Sequence, residues 1–181
     1  MRKVIVSEYV TLDGVMDEPG LWSGIFWNEE ASSVKHDELF ASGVLLLGRV
    51  TYEGFAKVWP TMEGTGDYGE RMNRLPKYVA STTLDTAEWN ASIMKGSVPE
   101  TVAELKQQSG QDILVFGSGQ LVHTLMQSHL IDEYRLMVHP IILGSGKRLF
   151  SEGSGQQTLR LVETKPFNSG VVVLTYQPVE Q

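Results

Sequence analysis
The chain contains no cysteine, which removes disulfide staples, thiolate metal sites and cysteine nucleophiles together. Nor is there an apolar run approaching the ~20 residues that cross a bilayer as a helix. The opening Met1-Arg2-Lys3-Val4-Ile5-Val6-Ser7-Glu8 meets an acid where a signal peptide would be apolar. A cytoplasmic protein without a membrane partner is the expectation. Positive charge is short as well. Lys and Arg number 15 against 22 Asp and Glu, a net charge of −7, which is the wrong sign for a nucleic-acid face. A local basic pocket survives such a sum. Repeats, low-complexity tracts and linker-like breaks are missing too, so residues 1–181 read as one domain with room for a sizeable core.

Several catalytic signatures are also lacking. There is no Gly-x-Ser-x-Gly elbow. Gly144-Ser145-Gly146-Lys147-Arg148 suggests a phosphate loop, but Ile141 stands for the upstream glycine and Arg148 for the Ser/Thr after lysine. His36, Asp37 and Glu38 are consecutive on a helix and face different ways. His123, His129 and His139 have no metal-ligand spacing. No metal is expected, and serine or metal chemistry is set aside.

What remains is an alternation of strands and helices. Strands are expected at residues 3–9, 44–48, 78–82, 92–95, 112–116, 133–142, 158–164 and 171–177. Several are short apolar runs, the pattern of strands buried on both faces. Helix starts are marked by Asn28 before Glu29 and Glu30, and by the capping box Ser97-Val98-Pro99-Glu100, with Gly43 as the stop of the first helix. Leu121, Val122, Leu125 and Met126 form an apolar stripe on a later helix. An α/β fold follows, with a mostly parallel sheet to which the last strands add antiparallel pairs.

Two strand-to-helix junctions carry the chemistry. Ile113-Leu114-Val115-Phe116 runs into Gly117-Ser118-Gly119-Gln120-Leu121-Val122, and Val44-Leu45-Leu46-Leu47 runs into Gly48-Arg49-Val50-Thr51-Tyr52. Such turns put unpaired amides and the positive end of a helix where a phosphate can sit, and glycine lets the anion approach the backbone. Arg49 offers a planar fork suited to a phosphate monoester. Thr51 adds a hydroxyl, and Ser81 offers another at a third strand end. The Rossmann fingerprint is not met, because Val122 occupies its third glycine position. Two phosphate-friendly junctions, one with an arginine, point to a phosphorylated dinucleotide; either alone is equally a tight turn.

With these residues placed, the chain resembles the dihydrofolate-reductase-like superfamily. It looks most like the reductase domain of bacterial riboflavin-pathway deaminase/reductases, the RibD C-terminal domain family. Leu12-Asp13-Gly14 is similar to their Ser-Leu-Asp-Gly segment, and Leu47-Gly48-Arg49-Val50-Thr51 resembles the Gly-Arg-x-Thr junction of dihydrofolate reductases. Val115 to Leu121 looks like their glycine turn. Leu130-Ile131-Asp132-Glu133 and His139-Pro140-Ile141-Ile142-Leu143-Gly144 resemble two later stretches of the riboflavin enzymes. The resemblance implies a three-layer, eight-stranded mixed sheet with NADPH across the carboxyl ends of its strands. Gly117, Ser118, Gly119, Gln120, Leu121 and Val122 would then hold the pyrophosphate, with Gly48, Arg49, Thr51 and Ser81 about the 2′-phosphate. Thr11, Leu12 and Asp13 would belong to a loop closing over nicotinamide and substrate. It further implies hydride transfer to a pteridine- or pyrimidine-like heterocycle, as in 5-amino-6-(5-phosphoribosylamino)uracil reductase, and a homodimer built on the late strands.

Departures from the family pattern bear on substrate. The pterin-binding acid of dihydrofolate reductases falls near Ser32, with Glu29 and Glu30 a turn earlier, and Val138 replaces its threonine partner. Phe116 stands where the riboflavin reductases carry a glutamate, and a nucleotide-binding or sensing module without turnover is the alternative. For proton donation the candidates are Asp13, Glu29 and Glu8. Trp22, Trp27 and Tyr52 form either an aromatic wall against a flat substrate or part of the core.

Overall fold
The computed structural model describes residues 1–179. Its strands are β1 (Val4–Thr11), β2 (Ser42–Gly48), β3 (Lys77–Ala80), β4 (Ala91–Met94), β5 (Asp112–Phe116), β6 (Glu133–His139), β7 (Leu159–Pro166) and β8 (Val172–Pro178). They form one sheet in the order β4-β3-β2-β5-β1-β6-β8-β7. All eight lie where the hydrophobic runs put them. Pairing is parallel from β4 through β6 and antiparallel where β8 joins β6 and β7. The parallel strands are the apolar runs because helices cover both of their faces.

The helices are α1 (Glu29–Phe40), α2 (Arg49–Val58), α3 (Gly66–Arg74), α4 (Val98–Gln107) and α5 (Gly119–Gln127). Strand parity divides the core. Val4, Val6 and Val10 pack with α4 and α5 residues such as Val102, Leu121 and Leu125. Ile5, Leu45, Leu47 and Leu114 pack on the other face with Leu39 of α1 and Met72 of α3. Asn28 caps α1 by accepting from the Ala31 amide at 2.9 Å, and Ser97 caps α4. Two sequence expectations need correction. Gly43 does not stop α1, which ends at Phe40 with Ala41 as its C-cap; it lies in β2 at a register shift between Ser42 and Val44. Helix α3 was not foreseen, because its polar Gly-Asp-Tyr-Gly-Glu-Arg run buries only a narrow stripe.

One feature of the sheet positions the site. β1 pairs with β5 only as far as Ser7 against Phe116, but with β6 as far as Thr11 against His139. Beyond Ser7 the sheet splits, because β5 turns away at Gly117 into α5. Crevices for ligands form at such divergences, at the carboxyl ends of parallel strands. Among the described residues, no helix is long and apolar enough to cross a membrane.

Candidate active site
The two glycine junctions meet at this split. β2 and β5 are neighbours in register, Leu47 against Phe116, so α2 and α5 start side by side at one rim. A Cβ on Gly48 would overlap the Ser118 hydroxyl, and one on Gly117 would overlap the Thr51 side chain. Glycine is required at both places for the loops to touch. Gly117 also has φ +64°, and Ser118 follows at φ 62°. A serine there stores on the order of 1–3 kcal/mol of backbone strain, which clusters at ligand sites. Its hydroxyl caps α5 by accepting from the Leu121 amide, at 3.4 Å. The first helical bond there is donated by Val122 to Ser118, so the Gly119 and Gln120 amides precede the ladder and are available to an anion.

Behind this rim lies a cleft of about 2390 Å³, well above the ~300–1,000 Å³ of an ordinary small-molecule pocket. Arg49, Thr51, Ser81, Gly117, Ser118, Gly119, Gln120 and Leu121 all line it. Arg49 donates to Glu53 at 2.9 Å and its side chain is 43% exposed. Ser81 accepts from the Thr83 and Leu84 amides at 3.2 and 3.0 Å, which leaves its own proton to donate. Gly48 is buried beneath Ser118, and Val122 is buried in the core at 1% exposure; both support the rim from behind.

Of the buried charge at the floor of the cleft, sequence reasoning named Glu8 alone as a candidate. From α1 the lining residue is Lys35 rather than Ser32, Glu29 or Glu30. Lys35 is buried and donates to Ser7 Oγ at 2.8 Å and Glu38 Oε2 at 2.7 Å. Its ammonium lies 4.4 Å from the centroid of the Phe116 ring, a cation–π contact. Glu38 also faces Arg135, at 3.9 Å, and Arg135 is held by Glu133 at 2.7 Å. Glu8, the residue of β1 just past the split, lines the cleft with Oε1 buried and unpartnered. Burial pushes its carboxyl up to about 8, which Lys35 and the Gly117 amide only partly offset and Glu38 reinforces. His123 on α5 lines the cleft too, with a buried, unpartnered Nε2. So do Gly146, Lys147 and Arg148, in the segment that failed as a phosphate loop.

Other expected site residues lie elsewhere. Asp13 is a clamp. It accepts from Thr11 Oγ1 at 2.6 Å and from the Leu143 and Gly144 amides at 3.2 and 2.8 Å. The Thr11 hydroxyl and those amides hold its carboxyl down to about 2, so it has no proton to give near neutrality. Thr11 is buried and tied to Asp13 and the Val15 amide. Leu12 is exposed, its amide donating to Ile141. The cleft-lining part of that loop is instead Met16 to Pro19. Glu29 is exposed in the first turn of α1, outside the cleft, where an acid favours the helix start. Tyr52 is core, its hydroxyl accepting from the Glu88 amide at 2.8 Å. Trp22 is core as well, with Nε1 donating to Asp17 at 2.8 Å and its ring edge-on to buried His139. Trp27 is half exposed beside Tyr9, outside the lining.

This split sheet with paired helix starts is that of the riboflavin-pathway reductase-like fold. Residues 2–173 match the RibD C-terminal domain family, and the chain belongs to that family. It is 31% identical over 179 residues to YyaP of Bacillus subtilis (strain 168), an uncharacterized protein, covering 97% of this chain and 94% of YyaP. A protein of Shewanella sp. PV-4 named for riboflavin biosynthesis superposes with a TM-score of 0.80 at 20% identity, over 98% of this chain and 99% of the other. The deaminase/5-amino-6-(5-phosphoribosylamino)uracil reductase of Thermotoga maritima gives 0.67 at 15% identity, over 98% of this chain and 57% of that longer one.

Proposed function
We propose that the protein is an NADPH-dependent reductase acting on a small pteridine- or pyrimidine-like heterocycle, in the manner of 5-amino-6-(5-phosphoribosylamino)uracil reductase. The observation that carries this reading is the contact of the two helix starts, Gly48 on Ser118 and Thr51 on Gly117. It gathers two sets of amides and a guanidinium at one rim, the arrangement a dinucleotide with an extra phosphate needs. The donor set fits that cofactor. The Gly119 and Gln120 amides would take the pyrophosphate, and Arg49, with Thr51 and Ser81, the 2′-phosphate. When bound, the reduced nicotinamide supplies hydride; the chain's own part is placement, exclusion of water and handling of the proton.

Titrating NADPH fluorescence with protein tests the cofactor. Cofactor consumption against 5-amino-6-(5-phosphoribosylamino)uracil and a panel of pterins and pyrimidines tests the reaction. Saturable NADPH binding and turnover of one of these compounds are expected. A protein that leaves NADPH fluorescence unchanged refutes the reading. Binding with no turnover favours the second reading, a nucleotide-sensing module. That reading is supported by Phe116, whose ring carries Lys35 where the riboflavin reductases it resembles carry a glutamate. We also propose a homodimer through the late strands. β7 is the sheet edge and exposes Leu161 and Val162 at 50% and 46%, an apolar edge that solitary proteins avoid. Light scattering that returns a monomer would refute it.

A further inference from the structure
Among the described residues three carboxyls are buried, Glu8, Glu38 and Glu133, and two of them are matched. Glu38 meets Lys35 at 2.7 Å, and Glu133 meets Arg135 at 2.7 Å. Among the described residues Glu8 has no ion pair, although it is only 5% exposed. Parity explains this. Ser7 faces α1, where Lys35 and Glu38 bond to it. Glu8, the next residue of β1, points to the α5 side, where the Gly117 amide favours its charged form. A buried oxygen without a partner is rare in a folded protein and asks for a reason. Here the oxygen belongs to a cleft-lining residue at the split between β1 and β5, beside the turn that begins the anion site.

We propose that Glu8 is the proton donor of the reaction, a neutral carboxyl that protonates the nitrogen or oxygen of a C=N or C=O bond whose carbon accepts hydride. This rests on the reductase reading and deepens it. The step balances. The hydride pair from the reduced nicotinamide forms the new C–H bond, and the π pair moves to the heteroatom. That pair takes the Glu8 proton, leaving a carboxylate and the oxidised cofactor, and water then reprotonates Glu8. The surroundings suit both states. Desolvation keeps the carboxyl neutral at rest, with its ionisation moved up to about 8, near the working pH that favours a general acid. Lys35 across the strand and the Gly117 amide favour the carboxylate when it forms, while Glu38 opposes it. Tyr9 on β1, Arg135 on β6 and His123 on α5, which lines the cleft on the side Glu8 faces, are further ionisable groups around this floor. The substrate class follows: a planar ring with a basic heteroatom next to the reducible carbon, entering beside Tyr9.

The test is carbon-13 NMR of glutamate carboxyls together with kinetics. One carboxyl should titrate near pH 8 in the wild-type protein and vanish from the spectrum of Glu8→Gln. With a panel compound that turns over, Glu8→Gln should cut kcat by ~100-fold or more, the usual worth of general acid catalysis. Its NADPH affinity should stay within about threefold, since one neutral group replaces another, and the fall of kcat/KM above pH 8 should disappear. Glutamates that all titrate between pH 4 and 5, or a Glu8→Gln rate equal to wild type, overturn the proposal. A protein that binds no NADPH removes the reductase reading and the donor role with it, whereas an inert Glu8 in a turning-over enzyme removes the donor role alone.

Discussion
Replacing Arg49 with alanine separates the two phosphate-bearing ends of the proposed cofactor. The guanidinium is at the cleft rim, 43% exposed, and in the free protein it donates to Glu53 at 2.9 Å. An exposed i,i+4 pair of this kind is worth only ~0.3–0.5 kcal/mol, whereas a hydrogen bond to a charged partner contributes ~1.5–3 kcal/mol. Binding a 2′-phosphate exchanges the first for the second, and half-exposure trims the gain. The net is about 1–2 kcal/mol, or roughly 5–30-fold in Kd. Fluorescence titration should therefore show NADPH weakened by that factor in Arg49→Ala and NADH changed less than about twofold. Added salt should shrink the difference, because an exposed contact is screened. Glu53→Gln supplies the converse. It frees the guanidinium and should tighten NADPH about twofold, but only while Arg49 is present. Equal losses for NADPH and NADH in Arg49→Ala would refute the 2′-phosphate assignment.

Three further outcomes follow from the same contacts. Gly48→Ala drives a methyl into the Ser118 hydroxyl and should cost ~1–3 kcal/mol in urea unfolding, as overpacking does; Ser118→Gly should restore most of it, and strict additivity would mean the loops do not touch. Asp13 is held from 3.8 down to about 2, so its stabilisation is present above pH 4 and lost as pH falls toward 2; Asp13→Asn should flatten that part of a Tm–pH curve, and an unchanged slope would refute the clamp. Glu8 has the opposite sign: raised from 4.5 to about 8, it erodes stability as pH climbs between those values, because the unfolded chain releases that proton first. Glu8→Gln should match wild type at pH 4 and exceed it at pH 8, and no pH-dependent gap would show that Glu8 is not neutral in the fold.

The rim of the site was legible because its determinants are local. A strand ending in Gly48 or Gly117 and a helix starting at once are contiguous in the chain, and hydrophobic runs locate their strands. That the two junctions touch depends on β2 and β5 being neighbours in the sheet, an arrangement the resemblance supplied and spacing alone does not. The aromatic wall failed for a related reason. Trp22 and Tyr52 are equally apolar toward a ligand or a core, and the choice falls to partners distant in sequence, Glu88 for Tyr52 and His139 for Trp22.

The acids show where linear reading stops. Asp13 and Glu29 draw attention because each sits in a recognisable pattern, a Leu-Asp-Gly turn and a helix cap, yet those patterns are why each is occupied. Thr11 and two amides bind Asp13, and Glu29 serves the first turn of α1. Glu8 has no pattern of its own. Its signal is a violation: Ser7-Glu8 interrupts the apolar run of a strand that lies between β5 and β6 and is covered on both faces. An ionisable side chain in the middle of a sheet is opposed by desolvation, and the neighbouring serine escapes that opposition only by bonding Lys35 and Glu38. Glu8 has only partial relief, from the charge of Lys35 and the Gly117 amide, and its Oε1 is left without a partner. A chain selected for stability alone would carry an apolar residue there, and departures from local consistency of this kind concentrate where a protein does chemistry.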